Sequence, residues 1–244
     1  MKLVIDVGNT RTKLAVFSSQ TLIYVNAVEV LTVNILNEII EKFPSINKAI
    51  YSVVGLEKED IDIIKEFLKS KFELIEMSND LITPISNKYL TPETLGQDRI
   101  AAVVGVNNLF AGSNCLVIDA GTCITIDYID RESNYHGGSI SPGINMKYRA
   151  LNNFTSKLPL LSGTNHTEIT GEDTISSIKS GVLNGTLMEL EGFISYYNSE
   201  KTDLKVVITG GDAKLIHNNI KETILEEHLV LYGLNIILDT NVKK

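Results

Sequence analysis

The chain has very little cysteine: Cys115 and Cys123 are its two thiols in 244 residues. Both fall in apolar runs and neither has metal-ligand spacing around it, so they read as small core side chains. No apolar run reaches the roughly 18 residues that a membrane-spanning helix needs. No charged-then-apolar leader pattern opens the chain, and a cytoplasmic protein is expected. Excess positive charge is also missing. The formal net charge is −8, which argues against a non-specific nucleic-acid or anionic-membrane surface, though not against local anion sites built from backbone N–H groups. The serines show no nucleophile-elbow spacing. His136 and His166 lack any ligand pattern and are expected on the surface or in loops. No linker rich in Gly, Ser or Pro divides the chain.

What is present is a repeat. Leu3-Val4-Ile5-Asp6-Val7-Gly8-Asn9-Thr10 reads as a short β-branched strand that ends on a carboxylate and enters a polar turn. Gly8 lets backbone approach a ligand closely, and a second apolar run, Leu14 to Phe17, completes a hairpin. Leu116-Val117-Ile118-Asp119-Ala120-Gly121-Thr122 repeats the pattern and is again followed by a β-rich run, Ile124 to Ile129. The repeat places a boundary near residue 113, giving an N-terminal half, 1–113, and a C-terminal half, 114–244, with a cleft between them.

Patterning fills in the rest. The first half continues with a strand over 22–30, a helix over 32–43, a strand over 49–54 broken by Gly55, an amphipathic helix over 58–71 with Ile61, Ile64 and Phe67 or Leu68 inward, and a strand over 72–76. That is an α/β pattern. Residues 78–97 form a long polar loop, a frequent place for function. The loop delivers Gly96-Gln97-Asp98-Arg99 to the start of a helix with Ile100, Val103, Val104 and Asn107 on one stripe. In the second half, Gly137-Gly138-Ser139-Ile140-Ser141-Pro142-Gly143 runs from a strand edge into a turn, and a helix follows over 144–152. A long helix spans about 172–197 with Ile175, Ile178, Val182, Leu187, Leu190, Phe193 and Ile194 as its apolar face. Gly181 and Gly185 lie one turn apart, so another helix can approach closely there. Thr209-Gly210-Gly211-Asp212 joins a strand over 205–208 to a helix, an arrangement whose amides can cradle a nucleotide. The tail over 229–238 is apolar and helical at its end.

Each repeated turn offers a strand-end carboxylate beside a glycine and a hydroxyl. Such turns can grip nucleotide phosphates, with Asp6 holding hydrated Mg²⁺ and Lys13 reaching a terminal phosphate as a point charge. The alternative is a pair of ordinary hairpins left by a duplication. Asp98 is the candidate general base for moving a hydroxyl proton, a role worth roughly 10²–10⁴ in rate. The alternative for it is a plain helix N-cap paired with Arg99, and Arg99 in turn is either a carboxylate clamp or a solvated surface charge.

Taken together, these motifs resemble the type III pantothenate kinases of the actin-like, sugar-kinase and Hsp70 ATPase superfamily. The resemblance covers almost the whole chain. It implies a duplicated ribonuclease-H-like α/β fold with two halves flanking a nucleotide cleft. It also implies ATP-dependent phosphorylation of pantothenate to 4′-phosphopantothenate, the first step of coenzyme A synthesis, in a homodimer. By the same resemblance, Asp6, Gly8, Asn9, Thr10, Lys13 and Thr122 contact ATP, with Asp6 serving its Mg²⁺, and Asp98 is the base. Tyr89, Gly96, Gln97, Asp98, Arg99 and Thr174 serve pantothenate, Thr174 from across the dimer interface. Asp119 holds an activating K⁺ or NH₄⁺. The family commonly has Ala at Gln97 and Asn at Thr91, two departures that bear on pocket shape. A nucleotide-binding regulatory or accessory protein on the same fold is the other reading, and a superfamily kinase or phosphatase with a different substrate is a third. The short loop from Tyr89 to Arg99 and the lack of a large inserted domain favour a small acceptor.

Overall fold

A computed structural model describes residues 1–53, 58–163 and 168–242. The expected strand end at Val54, the break at Gly55, the inward side chain of Ile61 and His166 lie outside what is described.

The chain forms two compact units: Met1–Leu109 with Leu229–Lys244, and Phe110–His228. The first is built on strands β1 (Lys2–Val7), β2 (Thr12–Ser18), β3 (Thr21–Val28), β4 (Lys48–Val53) and β5 (Glu73–Glu76), in the order β3-β2-β1-β4-β5. β1 is antiparallel to β2 and parallel to β4. Side chains alternate across a strand. Leu3, Ile5, Val7, Leu14 and Val16 therefore share one face, where they pack with Leu36 and Ile39 of α1 (Val33–Lys42) and Ile64 and Leu68 of α2 (Lys58–Lys71). Thr32 caps α1 by accepting the Ile35 amide.

The opposite face of that sheet is covered by α7 (Leu229–Asn241), which lies on β1 and β4 and packs against α3 (Gln97–Leu109). The two helices interlock through glycine. A β-carbon on Gly233 would stand 1.7 Å from the Ala101 carbonyl oxygen, and one on Gly105 would stand 2.5 Å from that of Leu229. The α3 stripe is wider than expected, since every residue from Arg99 to Val106 is buried. Lys2 donates to Asp239 at 2.6 Å, Asn235 reaches the Ser19 carbonyl at 3.3 Å, and Phe17 meets Tyr232 edge-on. The tail assigned to the second half by sequence thus packs within the first unit, because its close helix partner and its polar anchors are there.

The second unit repeats the plan with β7 (Asn114–Ala120), β8 (Cys123–Ile129), β9 (Asn134–Pro142), β10 (Leu204–Thr209) and β11 (Ile224–Leu225), running β9-β8-β7-β10-β11. Again the central strand is antiparallel to the next in sequence and parallel to a later one. Leu116, Ile118, Ile124 and Ile126 pack with Leu190 and Ile194 of α5 (Thr174–Glu200) and Ile216 of α6 (Ala213–Asn219). α4 (Ile144–Asn153) packs on α5 through Ile144, Tyr148, Ile178 and Val182. Ile175, expected on the apolar face of α5, is half exposed at the helix's first turn. Cys115 is buried, whereas Cys123 is half-buried. Within the 78–97 loop lie a two-residue strand, β6 (Ser86–Asn87), and one 3₁₀ turn, Pro92–Thr94.

Candidate functional site

The first unit sets a polar row across its central strands. Asp6 lies directly opposite Lys13 on β2 and Ser52 on β4. All three therefore share the face that carries α7, the face of Lys2 four residues earlier. Burial pushes the Asp6 carboxyl up to about 6; Lys13 offsets part of that rise, and the charge of Asp98 adds to it. Ser52 is buried, and its hydroxyl donates to Gln97 Oε1 at 3.5 Å. Gln97 thus ties the start of α3 to the row.

The turn after Asp6 is exposed at Gly8, Asn9, Thr10 and Arg11, and the Gly8 amide donates to the Arg11 carbonyl at 3.1 Å. The two repeated turns differ in length. Val7 pairs with Thr12, leaving four residues between, whereas Ala120 pairs with Ile124, leaving three.

At the start of α3 the Asp98 carboxylate folds back to accept the Arg99 amide at 2.8 Å. A β-carbon at position 96 would lie 2.6 Å from that carboxylate, so Gly96 provides its space. Arg99 is buried, with its guanidinium carbon 5.5 Å from the centre of the Tyr89 ring, a cation–π contact. Asn79 fastens the loop that carries Tyr89 by donating to the carbonyls of Pro92 and Leu95. The fold therefore brings Asp6, Lys13, Gln97, Asp98, Arg99 and Tyr89 together on one unit. Ser52 is the member that sequence reasoning missed; alternation in the 49–54 strand places it on a face, but only the register puts it beside Asp6.

In the second unit the equivalent row is Thr125–Asp119–Thr209. Here the carboxylate is flanked by two hydroxyl residues and no lysine, a hard-oxygen set suited to a cation. Gly210 adopts a φ of +99°, and a β-carbon there would stand 2.4 Å from the Ala120 carbonyl and 2.5 Å from Asp119 Oδ1. The Asp212 amide donates to the same Ala120 carbonyl at 2.9 Å. Gly143 donates to the Thr122 carbonyl at 3.1 Å, and a β-carbon on it would meet the Gly121 carbonyl at 2.2 Å. Three glycine turns thus close around Asp119 and the exposed Thr122.

Among the described residues no group of three His, Cys, Asp or Glu is placed to hold a metal. A single carboxylate such as Asp6 fits Mg²⁺ that takes its remaining ligands from phosphate and water. His136, on β9, pairs with Asp130 at 2.7 Å and stacks on Tyr128, a surface role as expected. Thr174 opens α5 and borders a cavity of about 540 Å³ lined also by Leu151, Leu158, Asp173 and Gly181. Gly181, Gly185 and Gly192 have nothing within 4 Å of a built β-carbon, so no helix of the described chain approaches them closely. No described helix is long and apolar enough to cross a membrane.

The family model for type III pantothenate kinase matches residues 2–196. The type III pantothenate kinase of Phocaeicola vulgatus is 40% identical over 244 residues, covering 100% of each chain. That of Christiangramia forsetii is 41% identical over 99% of each. Among solved structures, a Campylobacter jejuni protein described as a conserved Baf-family transcriptional activator matches with a TM-score of 0.61 at 24% identity, covering 98% of each chain. A Porphyromonas gingivalis protein described as an N-acetylglucosamine kinase matches at 0.50 and 13%, covering 99% of each. These likenesses, with the doubled strand order, identify the duplicated ribonuclease-H-like fold of actin-like ATPases.

Proposed function

Since the chain belongs to the type III pantothenate kinase family, we propose that it phosphorylates pantothenate with ATP, giving 4′-phosphopantothenate for coenzyme A synthesis. Full-length identity near 40% to kinases of that name carries the reading. The clustering of Asp6, Lys13 and Asp98 on one unit supports it.

In this reading Asp98 accepts the proton of the pantothenate hydroxyl as that oxygen attacks the γ-phosphorus and ADP leaves. The carboxylate is preset by the Arg99 amide and by the space at Gly96. Arg99, with Tyr89 against its guanidinium, clamps the acceptor's carboxylate. Gly96 and Gln97 shape the same pocket, and Thr174 contributes from the partner protomer of a homodimer. Gly8, Asn9, Thr10, Lys13 and Thr122 contact ATP. Asp6 holds Mg²⁺, which neutralises phosphate charge when bound. Asp119, between Thr125 and Thr209, holds K⁺ or NH₄⁺. The open glycine face of α5 supports the homodimer, and the protein works in the cytoplasm.

A coupled ADP-release assay tests this. Turnover is expected to require pantothenate and Mg²⁺, to fall when Na⁺ replaces K⁺, and to drop roughly 10²–10⁴-fold in Asp98→Asn with little change in either KM. Unchanged kcat in that variant removes Asp98 as the base. ATP binding without turnover under any condition favours the regulatory reading.

A further inference from the structure

The second unit contains a polar cluster that the proposed chemistry does not use. Lys147 lies one turn into α4, and its ammonium donates to Thr186 Oγ1 at 2.8 Å and to Glu189 Oε2 at 2.7 Å, both on α5. Thr186 is buried and gives its own proton to the Val182 carbonyl at 2.6 Å. Its oxygen is thus free to accept from Lys147, and the arrangement has one direction only. Glu189 supplies the counter-charge; burial pushes its carboxyl up, and Lys147 with the Ser141 hydroxyl outweighs that to hold it below the usual carboxylate range. The buried Ser141 hydroxyl, at the end of β9, faces the same carboxylate.

The same end of α4 reaches the nucleotide turn. Gly143 caps the helix, accepts the Lys147 amide at 2.9 Å and donates to the Thr122 carbonyl at 3.1 Å. Because a β-carbon on Gly143 would collide with the Gly121 and Thr122 carbonyls, backbone lies on backbone there with no side chain to absorb a shift. The position of Thr122 therefore follows that of the first turn of α4, which Lys147 bolts to α5.

We propose that Lys147 and Glu189 are positioning residues for nucleotide binding, fixing the Gly121–Thr122 turn through α4. The proposal rests on the reading of Thr122 as an ATP contact. Stability alone does not account for the pair: its charges are about a quarter exposed, and a partly buried ion pair adds little net stability because desolvation offsets the attraction. What two charge-assisted bonds from one ammonium supply is a defined distance between two helices.

The test uses a direct binding measurement with a non-hydrolysable ATP analogue alongside steady-state kinetics. Lys147→Met should weaken analogue binding and raise the KM for ATP about tenfold, with kcat changed less than about threefold and the KM for pantothenate unmoved. Lys147→Arg, which can span the same two acceptors, should recover affinity to within about twofold. The double variant Lys147→Met/Glu189→Met leaves no unpaired charge, so its Tm should stay near that of the wild type while its binding stays weak. Wild-type analogue binding in the double variant overturns the proposal, as does a fall of kcat with a rise of both KM values that tracks a loss of Tm. Analogue binding needs no turnover, so a failure of the pantothenate reading leaves the result interpretable.

Discussion

Asp6 and Lys13 face each other across β1 and β2, yet the Asp6 carboxyl is pushed up to about 6. Burial outweighs the lysine, and Asp98 adds its own repulsion. The folded-state pKa thus lies above the unfolded value of 3.8. Between these values the folded chain holds a proton that the unfolded chain releases, so stability falls as pH rises through that window. By neutral pH the ionised group costs about 3 kcal/mol. Asp6→Asn should therefore raise unfolding free energy near pH 7 by up to that amount and by much less near pH 4, while abolishing turnover. Denaturant unfolding at the two pH values reads the difference; an equal effect at both would show that ionisation of Asp6 is not what destabilises the fold. A bound cation relieves the same cost, so Mg²⁺ with nucleotide should stabilise the wild type more than the variant.

Gly210 and Gly211 are adjacent but opposite in tolerance. Gly210 has a φ of +99° and its missing β-carbon would overlap Ala120 and Asp119, whereas Gly211 has open space. Gly210→Ala should destabilise the fold by about 2 kcal/mol or more from strain and overlap, and the surviving protein should lose the preference for K⁺ over Na⁺ because Asp119 is displaced. Gly211→Ala should keep both stability and cation preference. Thermal unfolding and the K⁺-to-Na⁺ activity ratio distinguish these outcomes. A Gly210→Ala protein with the wild-type ratio separates the turn from the cation.

Much of the fold was legible from local patterning. β1, α2 and α4 fall within a residue or two of their expected bounds, because a short β-branched apolar run marks a strand buried on both faces and an amphipathic helix such as α2 shows one apolar stripe. The tail helix was legible as buried but not as to where. α7 is apolar nearly all round, and only the interlock of Gly105 with Gly233 selects its partner. The carboxylate rows were half legible. Asp6 and Asp119 announce themselves at strand ends, but Ser52, Thr125 and Thr209 join them through register, which is set by non-local pairing. Near-identical letters also hid turns of different length, since the closing pair rather than the sequence of the corner fixes how many residues are looped out.

The face of α5 that carries Gly181, Gly185 and Gly192 is open on this chain, with Met188 and Tyr196 exposed on the same helix. If two copies pack there, Gly185→Arg should yield a monomer by light scattering and raise the KM for pantothenate, through loss of the partner's Thr174. Mixing inactive chains separates trans from cis. One chain carries Asp98→Asn and the other Thr174→Arg, a bulky change at the mouth of α5. In a trans arrangement each mixed dimer has one site with an intact Asp98 and an intact Thr174, so random mixing should restore about a quarter of wild-type activity per site. In a cis arrangement every site keeps one lesion, and mixing restores nothing.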